Sequence, residues 1–245
     1  MRLARAAGAM LAVALAGGPS PLVAPGAAWE KVAGRLGFGE GPAWHPDGYL
    51  LFEDVTNNRT LKLDAAGGVS VLREGTDSQR ENLELDREAV YRVDPDGALT
   101  RVVDSLTRPN GILVSADDRT LYVAENASPG GAVQLWAFDL DPRGVAAGGR
   151  ILYDFGGGRG IDGMTLDTAG RIWATAGTKE KAGIYVFRPD AERRSATLVG
   201  TIPMPEDPTN CTFGGPGRDV LYVTTVSSLY RIRTMARGQA SLPGK

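Results

Sequence analysis

One pattern returns along this 245-residue chain: a loop carrying Gly or Asn, an alternating apolar strand, a turn rich in Asp and Gly, and a second aliphatic strand. No single copy can bury its apolar face, so such a chain must pack like units against one another. Glu40-Gly41-Pro42-Ala43-Trp44 leads into residues 49–52, and Asn110-Gly111-Ile112-Leu113-Val114 into 120–123. Asp162-Gly163-Met164-Thr165-Leu166 leads into 171–174, and Asn210-Cys211-Thr212-Phe213 into 220–223. A third strand follows each pair, at 61–64, 135–139, 184–187 and 229–232, and fourth strands follow at 69–72 and 150–153. Three to four short antiparallel strands per copy describe a blade of a β-propeller. The spacing agrees: Asn110 and Asp162 are 52 residues apart, Asp162 and Asn210 are 48 apart, close to the blade lengths of known propellers.

The ring does not close evenly. A poorer copy, Asn82-Leu83-Glu84-Leu85-Asp86, falls 42 residues after Glu40 but only 28 before Asn110. It passes directly into a third-strand pattern at 89–97 and a fourth at 98–103, so its second strand is missing. The expected fold is all-β, a propeller shortened to about five blades with one incomplete. Residues 29–235 form the propeller, and the segment 31–35 adds an outer strand to the last blade. Residues 236–245 are left as a loose tail.

Composition removes several alternatives. The 33 Gly and 15 Pro lie between apolar runs rather than in one tract, as turns require. A net charge of -2 offers no broad basic surface for nucleic acid or anionic lipid. The lone Cys211 can form no intrachain disulfide and reads as a small core residue. His45 is the only histidine, which removes a histidine-rich zinc site and makes any Ser-His-Asp triad depend on one residue in an exposed turn. Arg2 and Arg5 precede an uncharged stretch at 6–18 and then Pro19, Pro21, Gly26, Ala27 and Ala28. This pattern predicts an export signal over 1–28 cleaved near Ala28, and a secreted or periplasmic protein. The apolar core is shorter than the roughly 20 residues that span a bilayer, so no stable membrane anchor is expected. Oligomeric state is not encoded in any of these features.

In a propeller the first strand of each blade lines the central channel, so the residues opening the first strands meet near the axis. Here they are Glu40, Asn82, Asn110, Asp162 and Asn210, each a carboxylate or a carboxamide. Polar groups crowded there need a cation or water. All their donors are oxygen and two are anionic, which suits Ca²⁺, Mg²⁺ or Mn²⁺, with Zn²⁺ possible through carboxylates. Asn, Asp and Gly also form turns, and each residue taken singly fits that plainer role.

Phe38-Gly39-Glu40-Gly41-Pro42-Ala43-Trp44, Arg108-Pro109-Asn110-Gly111, Ile161-Asp162-Gly163-Met164 and Thr209-Asn210-Cys211-Thr212-Phe213-Gly214-Gly215 resemble signature segments of the SMP-30/gluconolactonase/LRE-like family. The resemblance runs from about Trp29 to Ile232 with four motifs in the family's order. It implies a six-bladed type of propeller with a divalent cation in its channel, Ca²⁺ first among the candidates, and hydrolysis of sugar lactones. It further implies that Glu40, Asn110 and Asp162 are the metal ligands and Asp162 the general base. Such a reaction needs no nucleophilic side chain, because a bound dication activates carbonyl and water while a carboxylate takes the proton. Asn210 and Thr209 would contact substrate or support the ligands. Relatives carry a further blade, between the copies at Asn82 and Asn110, whose Asn-Asp motif and nearby arginine grip substrate hydroxyls; it is missing here. Two other functions therefore stay open: a non-catalytic propeller that binds a metal, a small ligand or a partner, and an esterase or phosphotriesterase.

Overall fold

A computed structural model describes residues 21–75, 88–127 and 129–239. The export signal lies mostly outside the described residues, as does Asn82. The described part is a set of antiparallel sheets joined in chain order. β2 (Gly39–His45), β3 (Tyr49–Asp54), β4 (Arg59–Leu63) and β5 (Val69–Glu74) form the first. Next come β8 (Pro109–Val114), β9 (Thr120–Asn126), β10 (Val133–Leu140) and β11 (Ala146–Asp154). A third sheet contains β12 (Met164–Leu166), β13 (Ile172–Ala176), β14 (Gly183–Pro189) and β15 (Ala196–Pro203). The fourth contains β16 (Pro208–Gly214), β17 (Val220–Thr225) and β18 (Ser228–Arg233), and its outer strand is β1 (Glu30–Gly34) from the other end of the chain. Between the first two lies a two-stranded sheet, β6 (Val90–Val93) with β7 (Leu99–Val103). Four complete blades and one incomplete blade are what the repeat spacing predicts, and β1 fastens the last blade as segment 31–35 suggested.

Alternation decides which face each strand buries. In β3, Leu50, Phe52 and Asp54 are buried while Tyr49, Leu51 and Glu53 are partly exposed. Burying a side chain such as Leu50 or Phe52 contributes roughly 1.5–3 kcal/mol. β13 is buried at every position because it has a blade on each side. Four apolar clusters join successive blades. Val90, Val103 and Leu106 of the incomplete blade pack with Leu121, Val123 and Phe138. Leu135, Ala137 and Leu152 pack with Ile172, Ala174 and Phe187. Trp173, Ile184 and Ile202 pack with Leu221, Val223 and Ile232, and Leu50, Phe52 and Leu61 with Tyr222 and Leu229. Among the described residues no apolar cluster joins the β2–β5 sheet to the β6–β7 sheet. The inner strands follow one another as β8, β12, β16 and β2.

The expected loose tail needs correction. Ala236 is buried, Gly238 pairs with Asp167, and the Gln239 amide donates to the Leu166 carbonyl at 3.0 Å. The segment is held because the ends of β12 and β16 leave backbone groups and a pocket for it; a Cβ on Gly238 would overlap the Phe213 ring. Residues 240–245 lie outside the description. Cys211 is buried with its Sγ 3.4 Å from the Trp173 carbonyl oxygen, and burial pushes its thiol pKa up, as an unreactive core cysteine requires. His45 is half-exposed and stacked on Tyr49 at 4.3 Å, accepting the Asp47 amide through Nδ1.

Candidate functional site

A shared irregularity positions the site. The register of β2 shifts between Glu40 and Ala43, that of β8 between Pro109 and Ile112, and that of β16 between Pro208 and Asn210. Each is a bulge at the opening of an inner strand, and bulges re-aim side chains that a regular ladder would point into a sheet face. Asp162 and Gly163 lie just ahead of β12, fixed by the Asp162 amide donating to Thr175 O and the Gly163 amide to Thr209 O. The glycines after Asn110 and Asp162 are required by crowding. A Cβ on Gly163 would fall 2.1 Å from the Asn210 carboxamide, and one on Gly111 would fall 2.4 Å from the Asp162 carbonyl oxygen.

The structure brings the four expected polar openers of the described blades together. Asn110 Nδ2 donates to Asp162 Oδ1 at 2.8 Å, and Asn210 Nδ2 donates to Glu40 Oε2 at 3.1 Å. Glu40 also accepts the Gly41 amide on Oε2. Burial raises the Glu40 carboxyl pKa, and the nearby Asp162 charge raises it further, against the pull of Asn210, Gly41 and Arg159. Among the described residues no three His, Cys, Asp or Glu side chains cluster, so any cation here rests on two carboxylates plus carboxamide oxygens. That donor set fits a hard cation: Glu40 Oε1 and Asn110 Oδ1 accept no hydrogen bond among the described residues.

Of its two expected roles, substrate contact or support of the ligands, Thr209 sits where the second is served, its carbonyl accepting the Gly163 amide at 2.8 Å. It is fully buried; its hydroxyl lies 2.6 Å from Gly39 O and 2.9 Å from Thr224 Oγ1. A hydroxyl committed to two neighbours inside a packed seam has no face left for a ligand, so Thr209 ties the last blade to the first. Asn210 remains at the mouth, partly exposed and holding Glu40.

Two sets of residues escaped the sequence reading. The second strands end in buried polar groups that hold the loops feeding the first strands. Asp54 accepts the Gly37 amide at 2.8 Å, and Glu125 accepts the amides of Thr107 and Arg108 at 2.7 and 2.8 Å. Thr175 Oγ1 accepts the Gly163 amide at 2.9 Å and donates to Thr209 O at 2.8 Å. The available signal was a polar residue ending an aliphatic strand at the same place in successive copies. The second omission is Arg159, whose guanidinium Nη2 donates to Asp162 Oδ2. Its Nη1 donates to Pro208 O at 2.6 Å and Gly177 O at 3.2 Å.

Residues 72–227 match the model of the SMP-30/gluconolactonase/LRE-like region. The chain belongs to this family. The matched span contains Asn110, Asp162 and Asn210 but not Glu40, which the fold returns to their side. A gluconolactonase from Zymomonas mobilis is 34% identical over 166 residues, covering 63% of this chain and 43% of that protein. A pentonolactonase from Haloferax volcanii is 28% identical over 76% of this chain and 81% of its own. Regucalcin from Xenopus laevis is 31% identical over 71% of this chain and 56% of its own. Against the first and third of these, the aligned chain thus spans only about half of the relative's length. The family fold is also seen in solved structures. A gluconolactonase from Xanthomonas campestris superposes with a TM-score of 0.72 at 23% identity, covering 87% of this chain and 91% of that one. A calcium-binding regucalcin from Agrobacterium tumefaciens gives 0.66 at 18%, covering 90% and 95%.

Proposed function

We propose that the chain is a divalent-cation-dependent hydrolase that opens sugar lactones. The observation that carries the proposal is the meeting of Glu40, Asn110 and Asp162 at one end of the inner strands, with Glu40 raised by burial and by the Asp162 charge. Relatives named gluconolactonase and pentonolactonase support the substrate class, and a calcium-binding regucalcin neighbour supports the choice of a divalent ion, Ca²⁺ first. Glu40, Asn110 and Asp162 would hold the ion through oxygen. When bound, it would polarise the lactone carbonyl and make water more acidic.

The chain's own residues do the rest. Asp162 takes a proton from the attacking water as the oxygen adds to the carbonyl carbon, and that proton is then available to the ring oxygen as the acyl C–O bond breaks. The product is a hydroxy acid. Asn110 holds Asp162 through Oδ1, and Asn210 holds Glu40, so neither carboxylate needs to reorient during the reaction. The export signature at Arg2, Arg5 and residues 6–18 supports the periplasm or the exterior as the place of this reaction; the N-terminal sequence of the mature protein tests that reading.

The test is acid release from a panel of aldonolactones by metal-loaded protein, with Asp162→Ala alongside. Wild-type turnover at least about 100-fold above the variant is expected for a positioned general base; equal rates would remove Asp162 from the chemistry. Among the described residues no apolar cluster joins the β2–β5 and β6–β7 sheets, which favours a second function, a propeller that binds ligand without turnover. Lactone-dependent thermal stabilisation without acid release would select it.

A further inference from the structure

Arg159 is a full positive charge inside the proposed cation site. Gly156, Gly157 and Gly158, all at positive φ, turn the chain so that Arg159 enters from the loop between β11 and β12. Its side chain is only 22% exposed, and Asp162 beside it is 14% exposed. The guanidinium is held on three sides, by Asp162 Oδ2, Pro208 O and Gly177 O, so it joins the third blade to the fourth. With Asn110 Nδ2 on Oδ1, both Asp162 oxygens are already engaged by donors.

Taken with the cation site proposed above, on which this inference rests, we propose that Arg159 is a built-in counter-cation that competes with the divalent ion for Asp162 and sets its affinity. Two carboxylates crowded in a half-buried channel need positive charge whether or not an ion is present. Arg159 supplies one charge at all times, because guanidinium does not deprotonate in proteins. A dication arriving at the same carboxylates therefore meets charge already neutralised and a like charge beside it. Even at the dielectric of water, a unit charge roughly 6 Å from a dication weakens binding about tenfold, and partial burial enlarges the effect. Asn110 and Asn210 cannot act this way, since they bring no net charge.

The experiment is direct measurement of Ca²⁺ and Mn²⁺ binding by titration calorimetry on wild-type protein, Arg159→Gln and Arg159→Lys. Arg159→Gln retains amide donors for the Pro208 and Gly177 carbonyls while removing the charge, and circular dichroism verifies that each variant folds. The expected result is one ion per chain, bound about tenfold or more tighter by Arg159→Gln and within about threefold of wild type by Arg159→Lys. Equal or weaker binding by Arg159→Gln, with wild type still binding one ion, overturns the competition and leaves the cation site standing. Binding by neither protein overturns both. Binding seen only in Arg159→Gln supports the competition in its strongest form.

Discussion

The two seams of this ring are built differently. On one, β1 crosses from the start of the described chain to pair with β18, and side chains from both ends converge on it. Trp29 is buried against Tyr230, with its ring nitrogen donating to Pro203 O at 2.7 Å. Glu206 accepts from Lys31, Thr225, Ser227, Ser228 and Tyr230 at 2.6–2.9 Å. On the other seam, facing the shortened region, β5 is exposed at five of its six positions, and Val71, Leu72, Val93 and Leu99 stand in solvent. Ile112 and Val114 of the inner strand β8 are also exposed, whereas Leu113 between them packs toward β12. Among the described residues, closure is thus concentrated in one seam. That seam should carry most of the sensitivity to substitution.

Trp29→Ala tests this most severely. It removes an almost fully buried indole and its hydrogen bond and should cost about 3–5 kcal/mol in denaturant unfolding. A loss under 1 kcal/mol would mean that β1 is not what fastens the ring.

Glu206→Gln comes next. Burial alone would raise the Glu206 pKa, but Lys31 and the surrounding hydroxyls outweigh it and bring the carboxyl down to about 2, from the usual 4.5. A depressed carboxylate contributes stability that is full above its unfolded value and is lost as pH falls toward the folded value. The variant should therefore be about 1.5–3 kcal/mol less stable than wild type at pH 7, with the gap closing between roughly pH 5 and pH 2. A gap that stays constant over that range would show that the network acts by shape and not by charge.

Much of this arrangement was readable from sequence, and the part that was not has a physical reason. The inner strands and their openers follow from a local pattern repeated at near-constant spacing, because equal units stacked about an axis place equal positions together. The pairing of β1 with the last blade was legible because an exposed edge needs a partner. The burial of Thr209 is not legible in the sequence because its neighbours Gly39 and Thr224 are distant along the chain, so nothing local reports it. Arg159 was missed for a similar reason: among 27 Lys and Arg, only the three-glycine turn before it marks one that points inward. The docking of residues 236–239 depends on the ends of two inner strands, which only the assembled ring creates.

Between the seams, at the channel mouth, function and stability should oppose each other. Glu40 has its pKa raised, by burial first and by Asp162 second, so below the unfolded value it is neutral and costs nothing, and as pH rises through the folded value that stability is lost. Glu40→Gln should then stabilise the chelator-treated protein at pH 7 by about 1 kcal/mol, typical when a strained functional group is relieved. The same variant should lose the thermal shift that added divalent ion gives wild type. Destabilisation without any ion present would indicate that the Asn210 contact outweighs the repulsion.

The smallest effects belong to the open side. Val93 and Leu99 are 70% and 50% exposed, and exposed side chains away from special backbone or networks change stability by no more than about 0.5 kcal/mol. Val93→Ser and Leu99→Ser should stay within that limit, well below Trp29→Ala. If either costs more than about 1 kcal/mol, the side chain is covered in solution, and the seam that looks open is closed by contacts outside the described residues or by another molecule. Repeating the measurement over a hundredfold range of protein concentration separates these, because only association makes the cost depend on concentration.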